Sequence, residues 1–308
     1  LLMGILLYVA TDPREAAQRH LGRVRDIIVL GMDEFKLVLE QMYENSNPIV
    51  SSTAARTASK AVDLRANVLT SLQAHTHFLD SPRMRASLVK SDFRFEQLKE
   101  QPTSIYLVLP SDRLDTFGRW LRLLIQQAIT VNARNISKKP PKPILFLLDE
   151  MPSLGRLTMV EQAYGLMAGF GMQLWGIVQD LSQLERIYDK GWETFIGNSG
   201  VIQYFGSRDV KTAEYFSKLC GVSTIEKISI SNTIARTFSG NGNSSSESQA
   251  VSEDVVARQL AHPDELMVLR KGSQILFVEN SNPIAAKRVN WYENDTLRGL
   301  GVSLHKGS

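Results

Sequence analysis

Asp149 and Glu150 stand side by side at the end of an apolar run, Ile144 to Leu148, in the stretch PILFLLDEMPSLG. Adjacent carboxylates leaving a strand can face two positions, one beside a divalent cation and one beside a water that attacks a phosphate. The run shows no alternation, which predicts a central strand of a parallel sheet, buried on both faces. Open parallel sheets take their ligands at the carboxyl ends of their strands. A surface turn is also rich in Asp and Glu, and the pair alone does not decide between the two.

Two neighbouring segments add to the pair. MQLWGIV, 172–178, reads as a second buried strand and leads to Gln179. An amide at that tip can sense a γ-phosphate or position water; it could equally cap the helix that follows. VIQYF, 201–205, reads as a third strand and runs into FGSRD, which sets Arg208 and Asp209 near the same edge. Arg208 could stabilise a transferring phosphate, in its own site or a neighbouring subunit's. Pairing with Asp209, or simple exposure, accounts for it equally well. The phosphate cradle of this chemistry is a Gly-rich loop ending in Gly-Lys-Ser or Gly-Lys-Thr. None occurs in the 308 residues: RKGSQ, 270–274, has its lysine before the glycine, and HKGS ends the chain. The residues amount to half of a nucleoside-triphosphatase site.

These candidates need a scaffold. Hydrophobic residues make up 43% and charged residues 22%, the balance of a folded globular protein. The net charge of +3 does not by itself demand a nucleic-acid partner. A single cysteine, Cys220, excludes an internal disulfide framework and a thiolate metal cage, and five scattered histidines argue against a His-rich site. The opening LLMGILLYVA is too short to span a bilayer and has no signal-peptide flank. A chain starting without Met inside an apolar run is expected to be a fragment.

From Asp12 to about Arg94 the pattern is helical, four to five helices, with Asp12 capping and Pro13 in the first helical position. Ala61, Leu64, Val68 and Leu72 fall at helical spacing. SIYLVL, 104–109, reads as a strand, followed by a helix with Phe117, Leu121, Leu124 and Ile125 on one side. KKPPKP, 138–143, is a stiff connector. A helix over 157–169, mostly helical 180–196 and an Asp209-capped helix to about Cys220 alternate with the three strands. SGNGNSSSESQ, 239–249, reads as a mobile surface loop. A short helix at HPDELMVL, a strand at QILFVEN and a last edge strand near AKRVNWYEND close the chain. Strand–helix alternation predicts an α/β domain with a mostly parallel sheet.

The order of four blocks is more specific than any one of them. ILFLLDEMPSLG, then QDLSQLERIYDKGWETFIGNSG, then FGSRDVKTAEYFSKLCGVST, then ARQLAHPDELMVLRKGSQILFVENSNPIAAKRVNWYE resemble successive blocks of the coupling proteins of type IV secretion and bacterial conjugation, the TraG-like DNA-pumping ATPases related to FtsK. Family members commonly carry Phe where Met151 stands here. The resemblance implies a P-loop NTPase of RecA/FtsK-like α/β fold, a mostly parallel sheet with an inserted all-alpha domain. Residues 1–11 would belong to the nucleotide-binding domain, 12–95 to the insert and 96–308 to the C-terminal part of the nucleotide-binding domain. The membrane anchor and phosphate loop would precede Leu1.

The resemblance further implies ATP and Mg2+ as cofactors. Asp149 would order the magnesium, Glu150 act as general base, Gln179 couple the γ-phosphate to movement, and Arg208 serve as sensor or finger. The parent would be a homo-hexamer at the cytoplasmic face of the bacterial inner membrane. It would hand single-stranded DNA with its relaxase, or effector proteins, to the secretion channel. The fragment alone is expected to be soluble, monomeric or poorly folded, and without ATPase activity. Arg56, Lys60 and Arg65, and separately Lys138, Lys139 and Lys142, form basic series that could meet DNA phosphates or only water. A non-hydrolysing DNA- or substrate-binding adaptor with a degenerate ATPase fold is the rival. An unrelated α/β hydrolase or transferase is the blander one, disfavoured because no Gly-x-Ser-x-Gly lies where a strand feeds a helix.

Overall fold

The structure, a computed structural model, describes residues 1–134, 136–239 and 242–301. It divides into two compact units: residues 1–144 with 169–172, and residues 145–168 with 173–308.

The first unit is helical. Helices α1 (Leu2–Thr11), α2 (Leu21–Ile28), α3 (Met32–Tyr43), α4 (Pro48–Ala58), α5 (Val62–Thr76) and α6 (Pro82–Leu88) precede the long α7 (Leu114–Ala133). Their core joins Ile5 and Tyr8 of α1 to Ile27 and Ile28 of α2, Phe35 and Met42 of α3, Val50 of α4 and Leu69 of α5. Gly4 lets α1 and α4 approach closely, since a Cβ there would sit 2.5 Å from Thr53 Cγ2. On α5 the buried residues are Leu69 and Thr76, while Leu64 is exposed, so the inward stripe is rotated from the one expected.

Two polar knots fix this unit. Asp12, buried after α1, opens a 3-10 turn, Pro13–Gln18. Its carboxylate accepts from Arg14 N (2.9 Å), Nε (3.0 Å) and Nη2 (3.0 Å), and from Asn45 Nδ2 (2.7 Å). Arg25 of α2, also buried, donates to Asp80 (2.8 and 2.6 Å), Thr76 Oγ1 (2.9 Å) and the Gln73 carbonyl (2.7 Å). A guanidinium taken out of water is tolerated only when its donors are satisfied in this way. The expected strand at 104–109 does not form. Tyr106 is 84% and Val108 83% exposed, and no described strand lies beside the run to accept its ladder bonds.

In the second unit, strands alternate with helices. β1 (Ile144–Leu148), α8 (Thr158–Leu166), β2 (Met172–Gly176), α9 (Leu181–Tyr188), α10 (Glu193–Gly197), β3 (Val201–Tyr204) and α11 (Val210–Cys220) are followed by β4 (Val222–Ser239), β5 (Gly242–Gln259), α12 (Pro263–Met267), β6 (Ser273–Val278), β7 (Ile284–Lys287) and α13 (Asp295–Arg298). β1 and β2 pair in parallel: Ile144 N reaches the Gly171 carbonyl (2.9 Å) at one end, and Ile177 N the Leu148 carbonyl (3.0 Å) at the other. Burial on both faces, expected from the apolar run, is not what they show. Ile144 and Leu148 are buried, but Leu145 (53%), Leu147 (57%) and Trp175 (51%) are open, because no described element covers that face.

β3, β6 and β7 form an antiparallel sheet in that order, so β3 does not join the β1–β2 sheet as expected; β7 is an edge strand, but of the stretch expected to form one it includes only Ala286 and Lys287. The sheet's covered face packs Tyr204 and Phe277 on Phe216 of α11, with ring centroids 4.5 and 5.4 Å away. β4 and β5 make an antiparallel hairpin. The expected loop at 239–249 is therefore largely strand from Gly242 onward; Gly240 and Asn241 lie outside the described residues. A ladder satisfies backbone groups whatever the side chains, and a Ser-rich run can pair for that reason.

The Asp12 knot predicts an acid-sensitive fold. Hydrogen bonds from Arg14 hold the Asp12 carboxyl down to about 2. A depressed folded value means its stabilisation is present above the unfolded value and is lost as pH falls from about 4 toward 2. Asp12→Asn should cost about 2 kcal/mol at neutral pH and flatten the acid limb of urea-unfolding free energy in that window. An unchanged acid limb would refute the assignment.

Candidate active site at the strand tips

The tips of β1 and β2 are zipped together. Beyond the Ile177–Leu148 bond, Met151 N donates to the Ile177 carbonyl at 3.1 Å. Asp149 and Glu150 are thus a two-residue step between successive rungs. Glu150 takes the left-handed conformation (φ 47°, ψ 42°), rare for a residue with a Cβ. Its N–H donates to Asp149 Oδ1 (3.0 Å), and its carbonyl accepts from Ser153 N (2.8 Å). The step buries Met151 and leaves both carboxylates exposed. Gly176 at the end of β2 allows this, since a Cβ there would stand 3.2 Å from Met151 Sδ. Among the described residues, nothing pairs with Asp149 Oδ2 or with the Glu150 carboxylate.

Gln179 lies just past the β2 tip, exposed, with its Oε1 accepting from Gln183 Nε2 at 3.1 Å. It does not cap α9; Asp180 does, through Oδ1 and the Gln183 N–H (2.7 Å). Arg208 is exposed after β3, and no ion pair joins it to Asp209 among the described residues. Asp209 caps α11 as expected, accepting from Thr212 N (2.9 Å) and Thr212 Oγ1 (2.6 Å). It also accepts from Ser182 Oγ (2.9 and 3.0 Å), while Thr212 Oγ1 accepts from Leu181 N (2.9 Å). These bonds, the Thr212 hydroxyl foremost, hold the Asp209 carboxyl below its usual range against the cost of burial.

The four candidates are therefore connected. Glu150 is tied through Met151 to Ile177, Gln179 heads α9, and the start of α9 is bound by Ser182 and Leu181 to the start of α11, beside Arg208. The roles of Ser182 and Thr212 were not read from the sequence. The signal was there, in the three-residue spacings Asp180–Gln183 and Asp209–Thr212 that an N-cap makes with its third helical residue.

The donor set can be tested against a magnesium ion. No cluster of three or more His, Cys, Asp or Glu suited to a metal occurs among the described residues. Magnesium is commonly held by one or two carboxylates, with phosphate oxygens and water completing its shell. Asp149, with Oδ2 unengaged, fits that use.

If Glu150 is kept for chemistry, its backbone strain is uncompensated. Glu150→Gly should leave the unfolding free energy unchanged or raise it by up to about 1 kcal/mol. A loss larger than about 1 kcal/mol would show a structural role for the side chain. Asp209→Ala should instead cost about 1–3 kcal/mol, by removing a cap and orphaning the Ser182 and Thr212 donors. Chemical denaturation of each variant measures both.

Comparison with known proteins gives the family and the fold. The family model "Type IV secretory system Conjugative DNA transfer" matches residues 26–303. VirD4 of Rhizobium rhizogenes is 30% identical over 221 residues, 71% of this chain and 32% of that protein. A TraG conjugal transfer protein of Escherichia coli is 28% identical over 72% of this chain and 36% of its own length. The chain thus spans about a third of the length of those relatives. Among solved structures, the plasmid coupling protein TrwB, in complex with a non-hydrolysable GTP analogue, superposes with a TM-score of 0.61 at 15% identity, covering 92% of this chain and 61% of TrwB. TrwB with ADP and Mg2+ gives 0.59 at 16% identity over the same shares. The fold is that of the plasmid coupling protein TrwB, and the chain belongs to the type IV secretory conjugative DNA-transfer family.

Proposed function

We propose that this chain is the cytoplasmic part of a type IV secretion coupling ATPase, which uses ATP hydrolysis to drive transfer of single-stranded DNA with its relaxase, or of protein substrates. The observation that carries the reading is the pair of unengaged carboxylates on a locked strand tip, joined through α9 and α11 to Gln179 and Arg208. TrwB, whose fold this chain shares, has been solved with ADP and Mg2+ and with triphosphate analogues. That likeness supports ATP and Mg2+ as the cofactors here.

In this reading bound Mg·ATP supplies the γ-phosphoryl group and a cation that spreads its charge. Asp149 would hold the cation through Oδ2, directly or through water. Glu150, exposed on its left-handed step, would be the group that takes a proton from the attacking water. Gln179 would orient that water or read the γ-phosphate, and its bond to Gln183 ties it to α9. Arg208 offers positive charge in its own site or a neighbour's. The residues do not include the phosphate cradle, which in this account is supplied by further parts of a protein as long as its relatives. Inner-membrane anchoring, hexamer formation and docking to the secretion channel belong to the same proposal, as does the division into a nucleotide-binding part (1–11 and 96–308) and an all-alpha insert (12–95). No described helix is long and apolar enough to cross a membrane.

The alternative is a non-hydrolysing DNA- or substrate-binding adaptor with a degenerate ATPase fold. A single variant separates the two. In a protein of the relatives' full length, Glu150→Gln should lower ATP turnover by at least about a hundredfold while nucleotide binding persists. Turnover retained within a few-fold would remove Glu150 as the base.

A further inference from the structure

One end of the β3–β6–β7 sheet collects positive charge that, Arg208 apart, the proposed chemistry does not use. Antiparallel pairing sets Lys287 opposite Ser273, and Arg288 N donates to the Gly272 carbonyl at 2.7 Å. Arg270 and Lys271 sit in the turn before β6, where Ser273 N reaches the Arg270 carbonyl (2.9 Å). The segment after β3 passes the same turn, since a Cβ on Gly206 would lie 3.4 Å from Leu269 Cβ. Arg208 follows two residues on. All five cations are exposed, and none makes an ion pair among the described residues. Of the acids on these segments, Asp209 is engaged by Ser182 and Thr212, Glu265 by Arg258 and Glu293 by Asn290, while Asp264 is exposed.

Aromatic rings interleave with this charge. Phe205 is 45% exposed, and the Arg288 guanidinium lies 4.7 Å from its ring centroid. Three residues beyond Arg288, Trp291 (39%) and Tyr292 (56%) are exposed and meet edge to face. On the open face of the sheet, Gln203 bonds Gln274, whose Nε2 donates to the Lys287 carbonyl (2.9 Å). That amide ladder steadies the strand carrying Lys287 and Arg288.

We propose that this sheet end binds single-stranded DNA, with Arg270 and Lys271 on phosphates and bases stacked on Phe205 and the Arg288 guanidinium. The assignment rests on the DNA-transfer reading for its choice of polymer. Exposed cations attract the phosphodiester backbone, and exposed rings reward unstacked bases, which a duplex does not present. The contacts are sequence-tolerant, as a conveyor of DNA requires.

Fluorescence anisotropy of a labelled oligodeoxythymidine with the 308-residue chain tests this, with circular dichroism confirming that each variant is folded. Phe205→Ala and Arg288→Ala should each weaken binding roughly tenfold, the loss of one stacking platform, and Phe205→Tyr should restore it. Arg270→Gln with Lys271→Gln should lower the slope of log affinity against log salt by about 1.4, two phosphate contacts at roughly 0.7 each. Arg56→Gln with Lys60→Gln, in the helical unit, should change nothing. Wild-type binding by the sheet-end variants, equal loss in the helical-unit pair, or displacement of the strand by millimolar Mg·ATP would each overturn the assignment. The result is independent of turnover. Sheet-end-dependent binding without ATP hydrolysis in a full-length protein would remove the motor and leave this surface. Hydrolysis with indifferent sheet-end variants would do the reverse.

Discussion

The Asp209 carboxylate is the point on which the second unit's working edge depends. It accepts from the first turn of its own helix and from Ser182 of α9, and Thr212, which it holds, accepts the Leu181 N–H in turn. Two helix starts are clamped at one anion. Each would otherwise present unsatisfied N–H groups. The consequence is positional: Gln179 precedes one clamped start and Arg208 the other. The zipped rungs at Leu148, Ile177 and Met151 fix the carboxylate pair in the same way. Chemistry-bearing side chains are exposed, while the bonds that place them are inward and short.

That division explains what could be read in advance. Asp149 and Glu150 stood out because an apolar run ends in two charges, and Asp209 because a cap has a local signature. The helices of the first unit announced themselves by period and by turn residues. The apolar run also suggested burial on both faces, but burial is a property of neighbours, and the described residues cover only one face of β1 and β2. SIYLVL failed as a strand for a similar reason: an apolar run shows that a segment could pair, and no described strand stands beside it. The β4–β5 hairpin erred the other way, since its polar second strand relies on the ladder and gives no apolar signal.

The basic sheet end was illegible for a topological reason. Arg208, Arg270, Lys271, Lys287 and Arg288 are far apart along the chain and meet only through the antiparallel register of β6 and β7. RKGSQ drew notice as a failed phosphate loop, whereas its cations gain meaning from Phe205 and Arg288 beside them. A net charge of +3 concealed the patch, because charge balance over a whole chain says little about one edge. The same edge carries Arg208, so a DNA strand there and a nucleotide at the β1–β2 tips would sit at two ends of the Asp209 clamp.

The most direct test of that coupling is the ATP turnover of a full-length protein as single-stranded DNA is added. The account predicts magnesium-dependent hydrolysis that rises and saturates with DNA. Gln179→Ala should remove the stimulation while leaving both DNA and nucleotide binding intact. Hydrolysis indifferent to DNA, or no hydrolysis in a protein that binds both ligands, would contradict it.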